Sequence, residues 1–172
     1  MKDEKIEFKY ISSKEIDELN SLSKNSHVKA YLKNHKELLA DFSSLLEKKK
    51  TVFAYTLCSY GDKPISLMIT SDVSKEQPDY MTPWIEPEKE TLWIDFIFLN
   101  KEEVDPEIGS ELLAAFTVFC PKTVGALLAG PEVKEESKIA LYEIAGFTRV
   151  STFIKGQGFF KGTSHYLMKL KI

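Results

Sequence analysis

The sequence LYEIAGF, residues Leu141–Phe147, marks the end of a helix in the last third of the chain. A helical pattern runs from Glu135 to Ala145. Gly146 follows where a glycine most often ends a helix, because glycine adopts a positive φ without steric cost. We therefore predict a helix over Glu135–Ala145 that stops at Gly146.

Two nearly continuous apolar runs precede this helix, and each predicts a strand buried on both faces of a sheet. They are Leu92–Leu99, interrupted by Asp95, and Val124–Ala129. Between them lies the helical pattern of Gly109–Phe119, after a polar loop over Asn100–Pro106. A helix that connects two buried strands is typical of a parallel strand pair.

The remaining segments complete an alternation of strands and helices. Two helices with apolar faces are predicted around Leu19 and Leu39, and Asp72–Glu90 predicts a long loop, since it is rich in proline and acid and has no period. The other predicted strands are Ile6–Ile11, Val52–Cys58, Ile65–Ile69, Arg149–Ile154 and His165–Ile172. This order predicts an α/β (α+β) fold with a mixed sheet.

Composition and charge exclude several classes of protein. The 172 residues suit one domain over 1–172, and 43% hydrophobic with 28% charged residues is typical of a globular chain rather than a disordered one. The net charge of -3, without a Lys/Arg-rich patch, argues against a nucleic-acid partner.

No signal peptide and no apolar stretch of about 18 residues is found, so we expect a cytoplasmic protein without a membrane partner. Cys58 and Cys120 lack partners at metal-ligand spacing, and no metal is expected.

The segment Leu141–Phe147 resembles the YEKAGF signature that closes the fourth helix of the GNAT superfamily of N-acetyltransferases. Tyr166–Leu170 resembles the closing strand of that family. The stretch Trp93–Phe153 is similar to the aminoglycoside 6-prime-N-acetyltransferases, in which an Ile-Asp pair precedes the coenzyme A loop as Ile94-Asp95 precedes Ile108-Gly109 here. The resemblance implies a GNAT fold, with a central mixed sheet of six to seven strands and about four helices on both faces. It also implies acetyl transfer from acetyl-CoA to an amine.

The same resemblance implies where acetyl-CoA binds. Backbone N–H groups at a helix start would hold the pyrophosphate, and backbone groups at the strand end would hold the pantetheine arm. Two positions depart from the family pattern, because Glu107 replaces a glycine of the loop and Glu135 replaces an asparagine. A non-catalytic module that no longer uses CoA is therefore an alternative. The implied cofactor-binding residues are Ile97, Phe98, Leu99, Glu107, Ile108, Gly109, Ser110, Glu135 and Tyr142.

Two residues are the candidates for catalysis. Asp95 is a carboxylate within an apolar strand, where an unpaired charge is costly. It is interpreted as an anchor or base for the substrate amine, or alternatively as a structural aspartate paired with a backbone N–H or a lysine. The resemblance makes Tyr142 the general acid that protonates the departing thiolate, since a phenol has a pKa of about 10. The alternative for Tyr142 is a tyrosine of the core.

The loop Asp72–Glu90 combines several acids with aromatic side chains, a composition that suits a cation. Trp84 and Glu86 stand where the aminoglycoside enzymes place an aromatic and acidic wall. We therefore expect a small cationic substrate with a primary amine, such as an aminoglycoside-like molecule or a polyamine. The protein itself is expected to be a monomer or a homodimer. The alternatives are a loop that is merely solubilising and an enzyme that acts on a protein or peptide amine.

Overall fold

The computed structural model describes residues 6–10, 52–60, 63–75, 77–98, 106–156 and 161–172. Its strands are β1 (Ile6–Tyr10), β2 (Val52–Tyr60), β3 (Lys63–Asp72), β4 (Glu90–Phe98), β5 (Val124–Ala129), β6 (Thr148–Ile154) and β7 (Ser164–Lys171). They form one seven-stranded sheet in the order β1-β2-β3-β4-β5-β7-β6. The predicted mixed sheet of six to seven strands is confirmed. The helices predicted around Leu19 and Leu39 lie outside the described residues.

The sheet is mixed because a single parallel pair joins two antiparallel parts. Strands β1 to β4 follow one another as an antiparallel meander, in which β2 and β3 form a hairpin. Strand β4 then pairs with β5 in parallel, as the two apolar runs predict. Strand β7 inserts between β5 and β6 and is antiparallel to both.

The crossover between β4 and β5 contains the helix α1 (Pro106–Phe119). It begins at Pro106, three residues before the predicted start at Gly109. Proline suits the first helical position because its φ is fixed near the helical value and its missing N–H is not needed there. Pro106, predicted as the last residue of the loop, is therefore the first residue of the helix, and Glu107 and Ile108 lie in its first turn.

Helix α1 and the second described helix, α2 (Glu136–Ile144), pack on one face of the sheet. Alternate residues of the central strands face them, including Leu92, Ile94 and Leu127, each at most 1% exposed. The inner faces of the helices contribute the rest of this cluster, notably Leu112, Leu113, Phe116, Ile139, Leu141 and Tyr142. None of the described helices has the length and apolar character needed to cross a bilayer.

The opposite face of the sheet is covered by the loop between β3 and β4, which holds one 3-10 turn over Thr82–Trp84. Val73 and Met81 from this loop pack with Leu128, Phe153 and Leu167 in a second apolar cluster. Strand β5 is buried on both faces, as predicted, because Leu127 belongs to the first cluster and Leu128 to the second.

Gly146 ends helix α2 as the sequence predicts. Its φ of 94° lies in the left-handed region, and its N–H donates to Glu143 O at 3.0 Å. The N–H of Phe147 then donates to Tyr142 O at 3.0 Å, so the chain turns back over the last helical turn. This turn brings the Phe147 ring against Tyr142, at 5.1 Å between ring centroids in an edge-to-face arrangement.

Candidate functional site

The pairing between the parallel strands β4 and β5 stops before β4 ends, because β5 ends at Ala129. Their pairing stops at Ile94 and Ala129, whereas β4 continues to Phe98 paired with β3 alone. Within the described residues, the segment Asp95–Phe98 therefore has no strand beside it where β5 has ended, and this place is called the opening. Extended backbone with an open side can offer its N–H and C=O groups to an extended ligand. The candidate residues Ile97 and Phe98 lie on this segment, and Leu99 lies outside the described residues.

Helix α1 begins next along the chain after this segment. The N–H groups of a first helical turn have no partner within the helix, and the helix dipole adds partial positive charge there. Glu107 is exposed, so its carboxylate can remain in water, while Gly109 and Ser110 are buried. The Ser110 hydroxyl donates to Glu107 O at 2.8 Å and so closes the first turn. The arrangement suits an anion at the helix start.

Gly109 has a packing role that its sequence position alone does not show. A Cβ atom at this position would overlap the Cδ1 atom of Leu141 and lie 3.2 Å from its Cγ. Leu141 belongs to α2 and is 5% exposed, so it has little room to move. The absence of a side chain at Gly109 thus sets how closely α1 approaches α2.

We expect Gly109→Ala to destabilise the fold by about 1–3 kcal/mol, the usual cost of overpacking a core contact. Urea unfolding of the purified variant measures this change. Gly156→Ala is the matched control, because a Cβ there would meet no atom within 4 Å. Equal stability of the two variants would contradict the close contact between Gly109 and Leu141.

Tyr142 lies on the inner face of α2 and is 2% exposed. It belongs to the same buried cluster as Ile94 and Ala129, the last residues of the β4–β5 pairing. Such burial agrees with a tyrosine of the core, the alternative considered from the sequence. The general-acid role of Tyr142 stays a prediction.

The described backbone places Asp95 at the opening. Asp95 is the first residue of β4 beyond the pairing with β5, and it pairs with Ile69 of β3. Strand residues alternate between the two faces, so position 95 shares the face of Trp93, opposite to Leu92 and Ile94. This is the face covered by the loop between β3 and β4.

Glu86 and Trp84 hold the loop to the sheet through Lys169 of β7. The Lys169 Nζ lies 2.7 Å from Glu86 Oε1 and donates to Trp84 O, also at 2.7 Å. The hydrogen bond from Lys169 holds the pKa of Glu86 below its usual value, against an opposing effect of burial. The side chains of Lys169 and Glu86 are only 13% and 19% exposed. The Glu86 carboxylate is thus paired with the positive charge of Lys169, which weakens the prediction that Glu86 binds a substrate amine.

Lys169→Met should destabilise the protein by about 2 kcal/mol, because it leaves a half-buried carboxylate and a carbonyl without their donor. Chemical unfolding at pH 7 measures this loss. Lys171→Met is the control, since Lys171 is 75% exposed and its Nζ lies 3.8 Å from Glu86 Oε1. Exposed pairs of that kind contribute about 0–1 kcal/mol. A loss as large in Lys171→Met would contradict the role given to Lys169.

The Glu86–Lys169 pair also predicts a dependence of stability on pH. The pKa of Glu86 is lower in the folded protein than the value of 4.5 taken for the free side chain. The pair therefore contributes fully above pH 4.5, and its contribution is lost as the pH falls through the folded-state pKa. Melting temperatures between pH 7 and pH 3 should fall less in Lys169→Met than in the wild type. Parallel curves of melting temperature against pH for the two proteins would show that the Glu86–Lys169 pair does not contribute to the pH dependence of stability.

Glu135 precedes α2 and closes the turn that leads into it. Its Oε2 accepts from the backbone N–H of Glu132 at 3.2 Å and from Lys138 Nζ at 3.4 Å. These partners neutralise part of its charge and fix it beside the helix start. Contact with the pantetheine arm stays a prediction for this residue.

A cavity of about 260 Å³ on the loop-covered face was not foreseen from the sequence. Aromatic rings dominate it, with Tyr80 stacked on Phe153 at 4.4 Å and Trp93 edge-on to Phe153 at 6.2 Å. The cavity is lined by Ser71, Val73, Tyr80, Met81, Trp93, Gly130, Phe153, Lys155 and His165. Trp84 and Glu86 are not among these residues, and their contact with the substrate stays a prediction.

His165 is a further residue whose place the sequence did not reveal. It is 5% exposed and pairs across strands with Phe153, on which its ring stacks at 5.3 Å. Its Nδ1 lies 2.9 Å from Gly130 O and its Nε2 lies 2.7 Å from Thr163 Oγ1. Because a carbonyl only accepts, Nδ1 carries a hydrogen. The ring is thus fixed in the cavity wall, next to Gly130 at the end of β5.

No group of three or more His, Cys, Asp or Glu side chains that could hold a metal ion is found within the described part of the chain. Cys120 is a free thiol, and burial raises its pKa to about 12, which makes it a poor nucleophile at neutral pH.

Comparison with known proteins identifies the fold. No protein-family model and no curated protein sequence matches the chain. Among solved structures, an aminoglycoside N(6')-acetyltransferase from Legionella pneumophila superposes with a TM-score of 0.71 at 18% identity, covering 99% of this chain and 94% of that one. The aminoglycoside acetyltransferase AAC(6')-Ib bound to coenzyme A gives 0.70 at 18% identity, with 97% and 95% covered.

A GNAT-family acetyltransferase from Streptococcus pneumoniae also superposes over the whole length, with a TM-score of 0.62 at 14% identity and 98% and 99% of the two chains covered. At such identities the likeness concerns the path of the chain. It agrees with the element order, the parallel pair and the crossover helix described above. The chain has the fold of the GNAT N-acetyltransferases.

Proposed function

We propose that this protein is an acetyl-CoA-dependent N-acetyltransferase that acts on a primary amine of a small molecule. The observation that carries the proposal is the end of the β4–β5 pairing at Ile94 and Ala129, in the strand that precedes α1 along the chain. Solved structures with the same fold include complexes with coenzyme A. The end of the pairing leaves an open strand edge, which suits the pantetheine arm of coenzyme A. The start of α1 supplies a helix N-terminus, which suits the pyrophosphate.

The residues present fit acetyl-CoA. The backbone of Asp95–Phe98 would hydrogen-bond the amides of the pantetheine arm as an added strand would. The N–H groups of Glu107, Ile108 and Gly109 would hold the pyrophosphate at the start of α1. The exposure of Glu107 supports this assignment, because its carboxylate can stay in solvent, where its repulsion of the phosphates is screened.

In the proposed reaction, the amine attacks the thioester carbonyl directly. A C–N bond forms, and a backbone N–H near the end of β4 would stabilise the negative oxygen of the tetrahedral intermediate. The C–S bond then breaks, and Tyr142 donates its proton to the leaving thiolate. The proton of the attacking amine passes through water to Asp95, and solvent restores both side chains.

The acceptor is a small molecule in this proposal, as it is in the related structures, where AAC(6')-Ib is bound to kanamycin with coenzyme A. Trp84 and Glu86 were predicted to bind the cation of such an acceptor. Their contacts with Lys169 favour a role in holding the loop instead. A protein or peptide amine is the other acceptor considered.

Calorimetric titration with acetyl-CoA tests the proposal, with release of free CoA followed in the presence of amines. We expect binding in the micromolar range. S-acetylpantetheine, which lacks the nucleotide and pyrophosphate, is the matched control and should bind more weakly because it cannot contact the start of α1. Equal binding of the two would overturn the assignment of the pyrophosphate to Glu107–Gly109.

A non-catalytic module of the same fold is the second candidate. Glu107 and Glu135 favour it, because each is a carboxylate at a position where the GNAT pattern has an uncharged residue. No binding at millimolar acetyl-CoA would support this candidate and overturn the transferase proposal.

A further inference from the structure

The cavity on the loop-covered face has the properties of a site for a flat apolar group. Three of its walls are aromatic, formed by Tyr80, Trp93 and Phe153, and Val73 and Met81 add apolar surface. Apolar cavities of about 150 Å³ admit a benzene molecule, so one of about 260 Å³ has room for a ring with a short substituent. It is smaller than the roughly 300–1,000 Å³ typical of sites for drug-sized ligands.

The charge of the cavity opposes a polycation. No carboxylate occurs among the nine described residues that line it, and Lys155 brings a positive charge. The predicted acidic residue Glu86 is not among the lining residues, and it is held by Lys169 on the sheet at 2.7 Å. The described lining residues therefore supply no carboxylate to pair with several ammonium groups, whereas their ring faces suit an apolar or singly charged ligand.

The cavity adjoins the opening where the proposed chemistry occurs. Trp93 lines the cavity, and Asp95 follows it on the same face of β4. At a strand rise of about 3.3 Å per residue, their Cα atoms are roughly 6–7 Å apart along the strand. Gly130, the residue after β5, also lines the cavity. A ring seated against Trp93 would therefore need only a short alkyl chain to bring its amine to the position of Asp95 along the strand.

We infer that the acceptor is an arylalkylamine, a primary amine joined by a short alkyl chain to an aromatic ring, with the ring bound in this cavity. The inference rests on the proposed function, since it names the substrate class of the same site. It departs from the polycationic acceptor that the acidic loop predicts. One amine suffices for the reaction, and the ring rather than further charges supplies the binding free energy.

An acceptor panel tests the inference. Phenethylamine, tryptamine, kanamycin and spermidine are compared with saturating acetyl-CoA, and release of CoA gives kcat/KM for each. We expect the two arylalkylamines to exceed kanamycin and spermidine by about tenfold or more, the factor that one well-packed aromatic contact supplies. A preference for kanamycin or spermidine would overturn the inference and leave the transferase proposal intact.

A cavity-filling variant links the preference to this site. Ser71→Leu should lower kcat/KM for phenethylamine about tenfold, mainly through KM, because the added side chain fills space the ring needs. Ser151→Leu is the matched control, since Ser151 is not among the lining residues and should leave kcat/KM unchanged. Equal effects of the two variants on phenethylamine would overturn the inference.

Direct binding separates failure of the inference from failure of the proposed function. The sequence contains two tryptophans, so Trp84→Phe leaves Trp93 as the only one. Phenethylamine should change the fluorescence of Trp93 in this variant, and Ser71→Leu should abolish the change. If no amine is acetylated, this signal still supports an arylalkylamine site, whereas its absence overturns the inference.

Discussion

Tyr142→Phe should lower kcat by about 100-fold, at the lower end of what a general acid contributes. The side chain is 2% exposed and packs edge-to-face on Phe147, and phenylalanine preserves that packing. Loss of the hydroxyl should cost at most about 1 kcal/mol of stability. The two interpretations of Tyr142 therefore separate, because a proton donor affects turnover and a core residue affects unfolding. Steady-state kinetics with acetyl-CoA and an accepted amine measures the effect.

The control for Tyr142→Phe is Tyr166→Phe. Tyr166 lies on β7 with the guanidinium of Arg149 over its ring at 4.6 Å, outside the proposed site. It should retain the kcat of the wild type. The pH profile adds a second readout, since the fall in kcat at high pH should disappear when the ionising phenol is removed. An unchanged kcat in Tyr142→Phe would assign Tyr142 to packing alone.

The sequence contains the signals that define the elements of the helix-covered face. Gly146 marks a helix end by a conformation that few other residues adopt, and the structure shows the expected positive φ. The apolar runs that became β4 and β5 can be buried only inside a sheet, which made the parallel pair predictable. The start of α1 was missed because Pro106 reads equally as the end of a loop and as the first residue of a helix.

The candidate site was only partly predictable, for a physical reason. The cavity joins side chains of β3, β4, β6 and β7 with the covering loop, and no local pattern relates Tyr80 to Phe153, whose rings stack. The acidic residues of the loop between β3 and β4 predict a cation site. Composition does not reveal that Lys169 on β7 forms an ion pair with Glu86. Long-range contacts of this kind depend on how the loop folds over the sheet. The alternation of apolar and polar residues along β6 and β7 was the one sequence signal that could have indicated the buried positions of Phe153 and His165.

Asp95→Asn should lower kcat/KM by about 100-fold, because the amide keeps the shape of the carboxylate but cannot accept the proton of the amine. The position supports this expectation, since Asp95 follows the last β4–β5 pair and shares the face of Trp93 and the cavity. A carboxylate there would also hold an ammonium group before reaction. The variant should raise KM for the amine more than KM for acetyl-CoA.

Asp79→Asn is the matched control, because Asp79 is an exposed aspartate of the loop between β3 and β4 and should tolerate the change. The dependence of kcat/KM on pH distinguishes the two roles left open for Asp95. If Asp95 is the base, the fall of activity at low pH should move or disappear in Asp95→Asn. If instead activity is retained and unfolding occurs at lower urea, the carboxylate is a structural partner of the sheet. The amine would then be deprotonated by solvent alone, and the opening between β4 and β5 would act by positioning the two substrates.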